Sequence, residues 1–159
     1  MNYAHAITTP TNTITVPCRA CGARSPTSGQ DLATSRACPR CGAALAPCAA
    51  PLDVDSADLI ALLASARVPI LIDFWAPWCP PCHLAAPMLK KVAADMAGKA
   101  LVLKVDIDRH PEVAAEFAIR AIPTFVVIKD RKVVSRQAGL ARPGTMKAWL
   151  TAKSTVAEE

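Results

Sequence analysis

From residue 56 onward the apolar positions change period several times, and each change marks a new element. Ser56-Ala-Asp-Leu opens a helical stretch that runs through Ala66, with Ser56 the expected N-cap. Pro69 to Trp75 (PILIDFW) is almost continuously apolar over strand length, as in a strand buried on both faces of a sheet. A helix is predicted from Cys82 to about Ala97, with Pro87 inside it as an expected kink. Leu101 to Asp106 (LVLKVD) is a second buried strand, and Pro111 suits the first turn of a short helix through Phe117. Thr124 to Ile128 and Lys132 to Gln137 flank Lys129-Asp-Arg, which predicts a β-hairpin before a last helix from Pro143 to Trp149. The order α-β-α-β-α-β-β-α predicts an α/β fold in which helices flank a central mixed sheet with parallel crossovers and one antiparallel hairpin.

The preceding third of the chain has no such pattern. Residues 1–16 are polar, rich in Thr and Asn, and predict a flexible tail. Residues 17–45 are framed by cysteines; between Cys18 and Gly42 the only aliphatic side chain larger than alanine is Leu32. Burial alone cannot fold such a segment. Residues 46–55, rich in Ala and Pro, read as a linker into a domain spanning 56–155. A chain of 159 residues accommodates this plan: one core of about 100 residues and a small appendage.

Composition narrows the class. The chain is 52% hydrophobic and 19% charged, and no apolar run approaches the ~18 residues of a membrane span. The N-terminus carries neither the basic flank nor the apolar centre of a secretory signal, so the cytoplasm is the expected compartment. Thiols stay reduced there, and seven cysteines then point to metal ligation and catalysis rather than to structural disulfides. The net charge of +5 is mild. Residues 1–50 hold four arginines against Asp31, and four metal-bound thiolates on Zn²⁺ would add about −2. That is no footprint for nucleic acid, and neither nucleic acid nor membrane is an expected partner.

Six of the seven cysteines form three Cys-x-x-Cys pairs, a spacing that serves either metal ligation or disulfide exchange. Cys18, Cys21, Cys38 and Cys41 read C-x2-C-x16-C-x2-C, within the range of a structural zinc site. Gly22 and Gly42 follow the two pairs, where a tight knuckle needs positive φ. One Zn²⁺ in a tetrahedral site of four cysteine thiolates is expected, with the metal supplying the folding energy that burial does not. No organic cofactor is expected. Cys48 is left without a partner.

The third pair stands in WCPPC, Trp78 to Cys82, after a buried strand and at the start of a helix. Free N–H groups and the helix dipole there favour a thiolate, which makes Cys79 the candidate nucleophile. Cys82, one turn inward, is the candidate resolving cysteine that attacks a mixed disulfide on Cys79. Prolines at both 80 and 81 remove two backbone donors near the Cys79 sulfur, and fewer donors make the dithiol the stronger reductant.

DFWAPWCPPC at Asp73 to Cys82, Pro87 in the helix, IRAIPT at Ile119 to Thr124 and Gly139 in QAGL together resemble the thioredoxin family over about residues 52–153. The cysteine-framed segment resembles a zinc ribbon, and the union resembles the zinc-containing thioredoxin 2 type. The resemblance implies a thioredoxin fold with a small N-terminal zinc-ribbon module. It makes Asp73 the buried carboxylate that accepts and returns the proton of Cys82, and Lys104 the lysine that partners it. It makes Pro123 a cis-proline facing the cysteines, with Trp78, Ile107, Ile122 and Gly139 forming an apolar docking surface for clients. The departure is Pro80, where the family typically carries glycine; it bears on the redox potential, not on the reaction type. His83 is an exposed histidine on the helix surface.

The expected activity is that of a monomeric cytoplasmic protein-disulfide reductase, with disulfide-containing clients and, from the resemblance, thioredoxin reductase as electron donor. Two alternatives stand beside it: a disulfide oxidase or isomerase on the same fold, and a zinc-based, redox-sensing module for protein binding.

Overall fold

The computed structural model describes residues 12–152. The N-terminal part is built of two small antiparallel ladders: β1 (Thr13–Pro17) pairs β2 (Arg24–Ser28), and β3 (Arg36–Ala37) pairs β4 (Ala44–Leu45), with a single turn of helix, α1 (Gly29–Leu32), between them. Ser28 caps α1 through a reciprocal pair of bonds with Asp31. Five further strands follow: β5 (Leu52–Asp53), β6 (Ile70–Trp75), β7 (Leu101–Asp106), β8 (Thr124–Lys129) and β9 (Lys132–Ala138). They form one mixed sheet in the order β5-β7-β6-β8-β9, parallel across β5-β7-β6 and antiparallel beyond. Helices α2 (Ser56–Ser65), α3 (Pro80–Asp95), α4 (Pro111–Glu116) and α5 (Pro143–Thr151) complete the chain. Among the described residues no helix is long and apolar enough to cross a membrane.

The period-2 geometry of β6 divides the core in two. Ile70, Ile72 and Phe74 join Leu103, Val105 and Val126 on the face covered by α2 and α4. Leu71 joins Val102, Phe125 and Val127 on the opposite face, covered by Leu89 and Val92 of α3 and by Met146 and Leu150 of α5. Asp73 shares the register of Leu71, so its carboxyl points to the α3 face.

Four boundaries differ from the sequence expectation, each for a local reason. Strand β1 begins at Thr13, inside the expected tail, because Ile14 has an apolar place to go; residues 1–11 of that tail, and 153–155 of the expected domain, lie outside the described residues. Leu52 and Asp53, read as linker, form the edge strand of the main sheet, and the Val54 N–H donates to the Lys104 carbonyl at 3.0 Å. The N-cap of α2 is Asp55, not Ser56; its carboxylate accepts the Asp58 N–H at 2.8 Å, and a charged acceptor makes the stronger cap. Helix α3 begins at Pro80 rather than Cys82, since two prolines suit the first turn, where no N–H is needed.

A fifth difference concerns energetics. The cysteine-framed segment is not without a core: Ile14 and Leu32 are buried in the same cluster as Leu59 and Leu62 of α2. Around them the backbone is tied to the larger unit. The Gly29 N–H donates to Ser65 Oγ at 2.8 Å, and the Cys48 N–H donates to the Leu32 carbonyl at 2.7 Å. A Cβ on Gly29 would stand 2.7 Å from that of Ala66, so only glycine allows this approach.

Candidate redox site and four-cysteine cluster

Cys79 is the N-cap of α3 and is joined to Cys82 by a disulfide, with 5.3 Å between the Cα atoms. The Cys82 N–H points at Cys79 Sγ at 3.3 Å. Prolines occupy the two positions between, so this is the one backbone donor the first turn directs at that sulfur. Both sulfur-bearing residues are only 3% exposed, while Trp78 beside them is 64% exposed. The Trp78 indole N–H donates to Asp108 at 2.8 Å, which anchors the ring to the loop after β7.

The sheet brings three loops to this edge. The Ile122–Pro123 peptide is cis, and the Ile122 carbonyl lies 3.9 Å from Cys79 Sγ. The Gly139 N–H donates to the Pro123 carbonyl at 2.8 Å, and the Ile107 N–H donates to the Trp75 carbonyl at 2.9 Å. Trp78 and Gly139 are exposed and Ile107 and Ile122 half-buried, so all four sequence candidates border the same edge. His83 is exposed, with Nε2 2.6 Å from the Pro77 carbonyl; its ring stands edge-on to Trp75.

Asp73 lies on β6 beneath this edge and is 1% exposed, with no donor among the described residues to either carboxyl oxygen. Burial pushes its carboxyl up to about 7; Lys104 opposes that rise and Asp53 adds to it. Lys104 on β7 stands directly beside Asp73 in register, yet no hydrogen bond or ion pair joins them. Its ammonium lies over the Trp75 ring, 4.3 Å from the centroid. The lysine therefore acts on Asp73 through space.

Sequence reasoning passed over Asp53 and Asp108. The alternation Leu52-Asp53-Val54-Asp55 is a period-2 signal that the surrounding alanines and prolines hid. Nothing in the sequence links Asp108 to Trp78, because that bond depends on how two loops meet.

At the other end of the chain the sulfurs of Cys18, Cys21, Cys38 and Cys41 all lie within 4.8 Å of one another, close enough to share one metal ion. The two knuckles repeat one geometry. The Gly22 N–H donates to the Cys18 carbonyl at 2.8 Å and the Gly42 N–H to the Cys38 carbonyl at 2.9 Å, with φ of 72° and 74° at the glycines. Backbone N–H groups of Cys21 and Ala20 lower the Cys18 thiol, and those of Cys41 and Arg40 lower Cys38 to about 6. For Cys21 the Ala23 N–H pulls downward, but burial and the three neighbouring thiols push it up to about 11. Four sulfurs this close cannot all ionise without a cation. Cys48 stands apart, its S–H directed at the Ala50 carbonyl at 3.3 Å.

Residues 51–152 match the Thioredoxin family description, which leaves the four-cysteine segment outside the match. The chain is 41% identical to a thioredoxin of Haemophilus influenzae over 97 residues, 61% of this chain and 90% of that protein. A thioredoxin of Staphylococcus aureus is 48% identical over 69 residues, 43% of this chain and 66% of that one. Among solved structures, a thioredoxin variant from Halobacterium salinarum superposes with a TM-score of 0.61 at 26% identity, over 69% of this chain and 96% of its own. A chloroplastic thioredoxin z gives 0.58 at 29% identity, over 63% and 91%. With these matches across the sheet, the helices and the WCPPC edge, the chain belongs to the thioredoxin family and is a protein-disulfide oxidoreductase.

Proposed function

We propose that the chain works as a cytoplasmic protein-disulfide reductase that carries one structural Zn²⁺. The observation that carries the direction of the reaction is the backbone at Cys79: Pro80 and Pro81 leave it a single N–H donor, from Cys82. A thiolate with little stabilisation gains more by entering a disulfide, so the dithiol gives up its electrons readily.

In this reading the Cys79 thiolate attacks a client disulfide, forming a mixed disulfide and releasing one client thiolate. Asp73 takes the proton of Cys82; the Cys82 thiolate attacks Cys79 Sγ, the mixed disulfide breaks, and the second client thiolate leaves. Two electrons have passed from the pair to the client. Thioredoxin reductase resets the Cys79–Cys82 disulfide with two electrons from NADPH. Trp78, Ile107, Ile122 and Gly139 receive the client, whose extended backbone pairs beside Pro123.

The zinc reading is supported by distance. Four thiolates at about 2.3 Å from a tetrahedral ion stand about 3.8 Å from one another; Cys18 and Cys41 are 3.8 Å apart, and Cys21 and Cys38 are 3.9 Å apart. The ion would neutralise the crowded sulfurs and lock the two knuckles together.

The test is insulin reduction driven by NADPH and thioredoxin reductase, together with metal analysis. Precipitation of the insulin B chain and one zinc per chain are expected. A protein that oxidises reduced ribonuclease but leaves insulin intact would instead be an oxidase.

A further inference from the structure

Three charged residues stand in one row across the sheet. Asp53 on β5 is in register with Lys104 on β7, and Lys104 is in register with Asp73 on β6. Partners in register on neighbouring strands point to the same face, and strands about 4.8 Å apart put the two carboxylates about 10 Å from each other with Lys104 on the strand between. Exposure falls along the row: Asp53 is exposed, Lys104 half-buried and Asp73 buried. The outer end opens on a cavity of about 390 Å³ lined by Asp53 and Lys104, by Ala86 and Lys90 of α3, and by Ala49, Ala50 and Pro51.

We propose that Asp53 is a positioning residue of the disulfide exchange: by sharing the Lys104 ammonium it holds the proton on Asp73. This rests on the reading of Asp73 as the proton acceptor of Cys82. Each turnover leaves Asp73 as a carboxylic acid, formed when Cys82 gives up its proton, attacks Cys79 Sγ and releases the client thiolate. Asp73 must give that proton up, as when it returns it to Cys82 on resetting, before the next cycle. Burial sets how tightly that proton is held, and with no donor to either Asp73 oxygen among the described residues, the two charges in its row adjust it. The other titratable groups on this face are Asp106 on β7, in register with Trp75, and those of α3: Cys79 and Cys82 at its start, His83 beyond Trp75, and Lys90 across the cavity. On β8 the facing residue is Phe125, which carries no charge.

One ammonium cannot neutralise two carboxylates. Removing the Asp53 charge commits Lys104 to Asp73, which then ionises at lower pH. The experiment follows the Asp73 carboxyl by NMR in the reduced, full-length protein between pH 5 and 9, beside the pH profile of insulin reduction. In Asp53→Asn the Asp73 midpoint should fall by roughly one unit, as expected for a charge about 10 Å away at an effective dielectric constant near 20. The pH profile should move down with it, and Asp53→Glu should restore both. In an Asp73→Asn background, Asp53→Asn should leave the profile unmoved. A midpoint unchanged in Asp53→Asn overturns the proposal, as does one that moves while the profile stays. If the wild type fails to reduce insulin, the reductase reading falls by itself, and the NMR midpoint still reports whether Asp53 controls Asp73.

Discussion

The knuckles and the redox pair share one spacing, Cys-x-x-Cys, and the backbone between the cysteines makes them chemical opposites. In each knuckle two N–H groups converge on the first sulfur, from Ala20 and Cys21 or from Arg40 and Cys41. At Cys79, Pro81 stands where Ala20 and Arg40 donate, and only the Cys82 N–H, the counterpart of Cys21 and Cys41, is left. A sulfur with several donors rests as a thiolate and waits for a cation; a sulfur with one donor gains by forming a bond to another sulfur. Spacing sets which atoms can meet, and the intervening N–H groups set what they do.

The sharpest test of that contrast is to remove one sulfur from each kind of pair. Cys79→Ser should lower insulin reduction by on the order of 10³-fold or more, and Cys82→Ser should accumulate a mixed disulfide with clients. Cys38→Ser should lose its zinc and keep reducing insulin. Equal loss of activity in Cys38→Ser and Cys79→Ser would erase the distinction.

Asp73→Asn comes next, with an expected rate loss of about 10²-fold. It also has a stability signature. The folded protein holds the Asp73 proton up to about pH 7, against an ordinary value of 3.8, so the stabilisation from that proton is complete below about pH 4 and is lost as pH rises through 7. Asparagine cannot ionise. Urea melts should find Asp73→Asn more stable than the parent at pH 8, by up to about 4 kcal/mol, with the difference closing toward pH 4. A constant difference across that range would mean that Asp73 is not held protonated.

Leu32→Ala asks whether the two regions are energetically separate. Leu32 is buried in the cluster shared with α2, so its truncation should cost about 2–4 kcal/mol of global stability by chemical denaturation with zinc bound. A loss confined to the metal site, with the main transition unmoved, would show two independent units. The smallest effect is expected for Pro80→Gly, which restores one donor. Alkylation of Cys79 at pH 7 should speed up several-fold, and equilibration with glutathione should give a potential less reducing by on the order of 10–30 mV. A more reducing Pro80→Gly protein would mean that loop rigidity, not donor number, governs the pair.

What the sequence made legible was local and repetitive. PILIDFW, LVLKVD and TFVVIK announce β6, β7 and β8 because a strand buried on both faces needs nearly every residue apolar, and the turn at Lys129-Asp-Arg announces the exposed edge strand β9. The cysteine spacings were equally plain. Hidden were the features that depend on elements far apart in the chain: the alternation at the two-residue strand β5 is masked by the alanines and prolines around it, and its pairing with β7 is what brings Asp53 to Lys104. The burial of Ile14 and Leu32 was hidden for the same reason, since two isolated aliphatics acquire a core only when α2 supplies the rest.

The closeness of Gly29 to Ala66 has a mechanical meaning. With 2.7 Å between an added Cβ and its neighbour, and a backbone N–H bonded across the joint to Ser65, the contact behaves as a keyed fitting rather than a tether. A keyed joint transmits displacement: a shift of the four-cysteine segment is felt at the C-terminal end of α2, which stacks on the same sheet face as Phe74 and Val105. For anyone grafting this segment onto another oxidoreductase, the part to carry across is therefore the pair of surfaces that meet at Gly29, and the flexible-looking residues between them are the wrong place to cut.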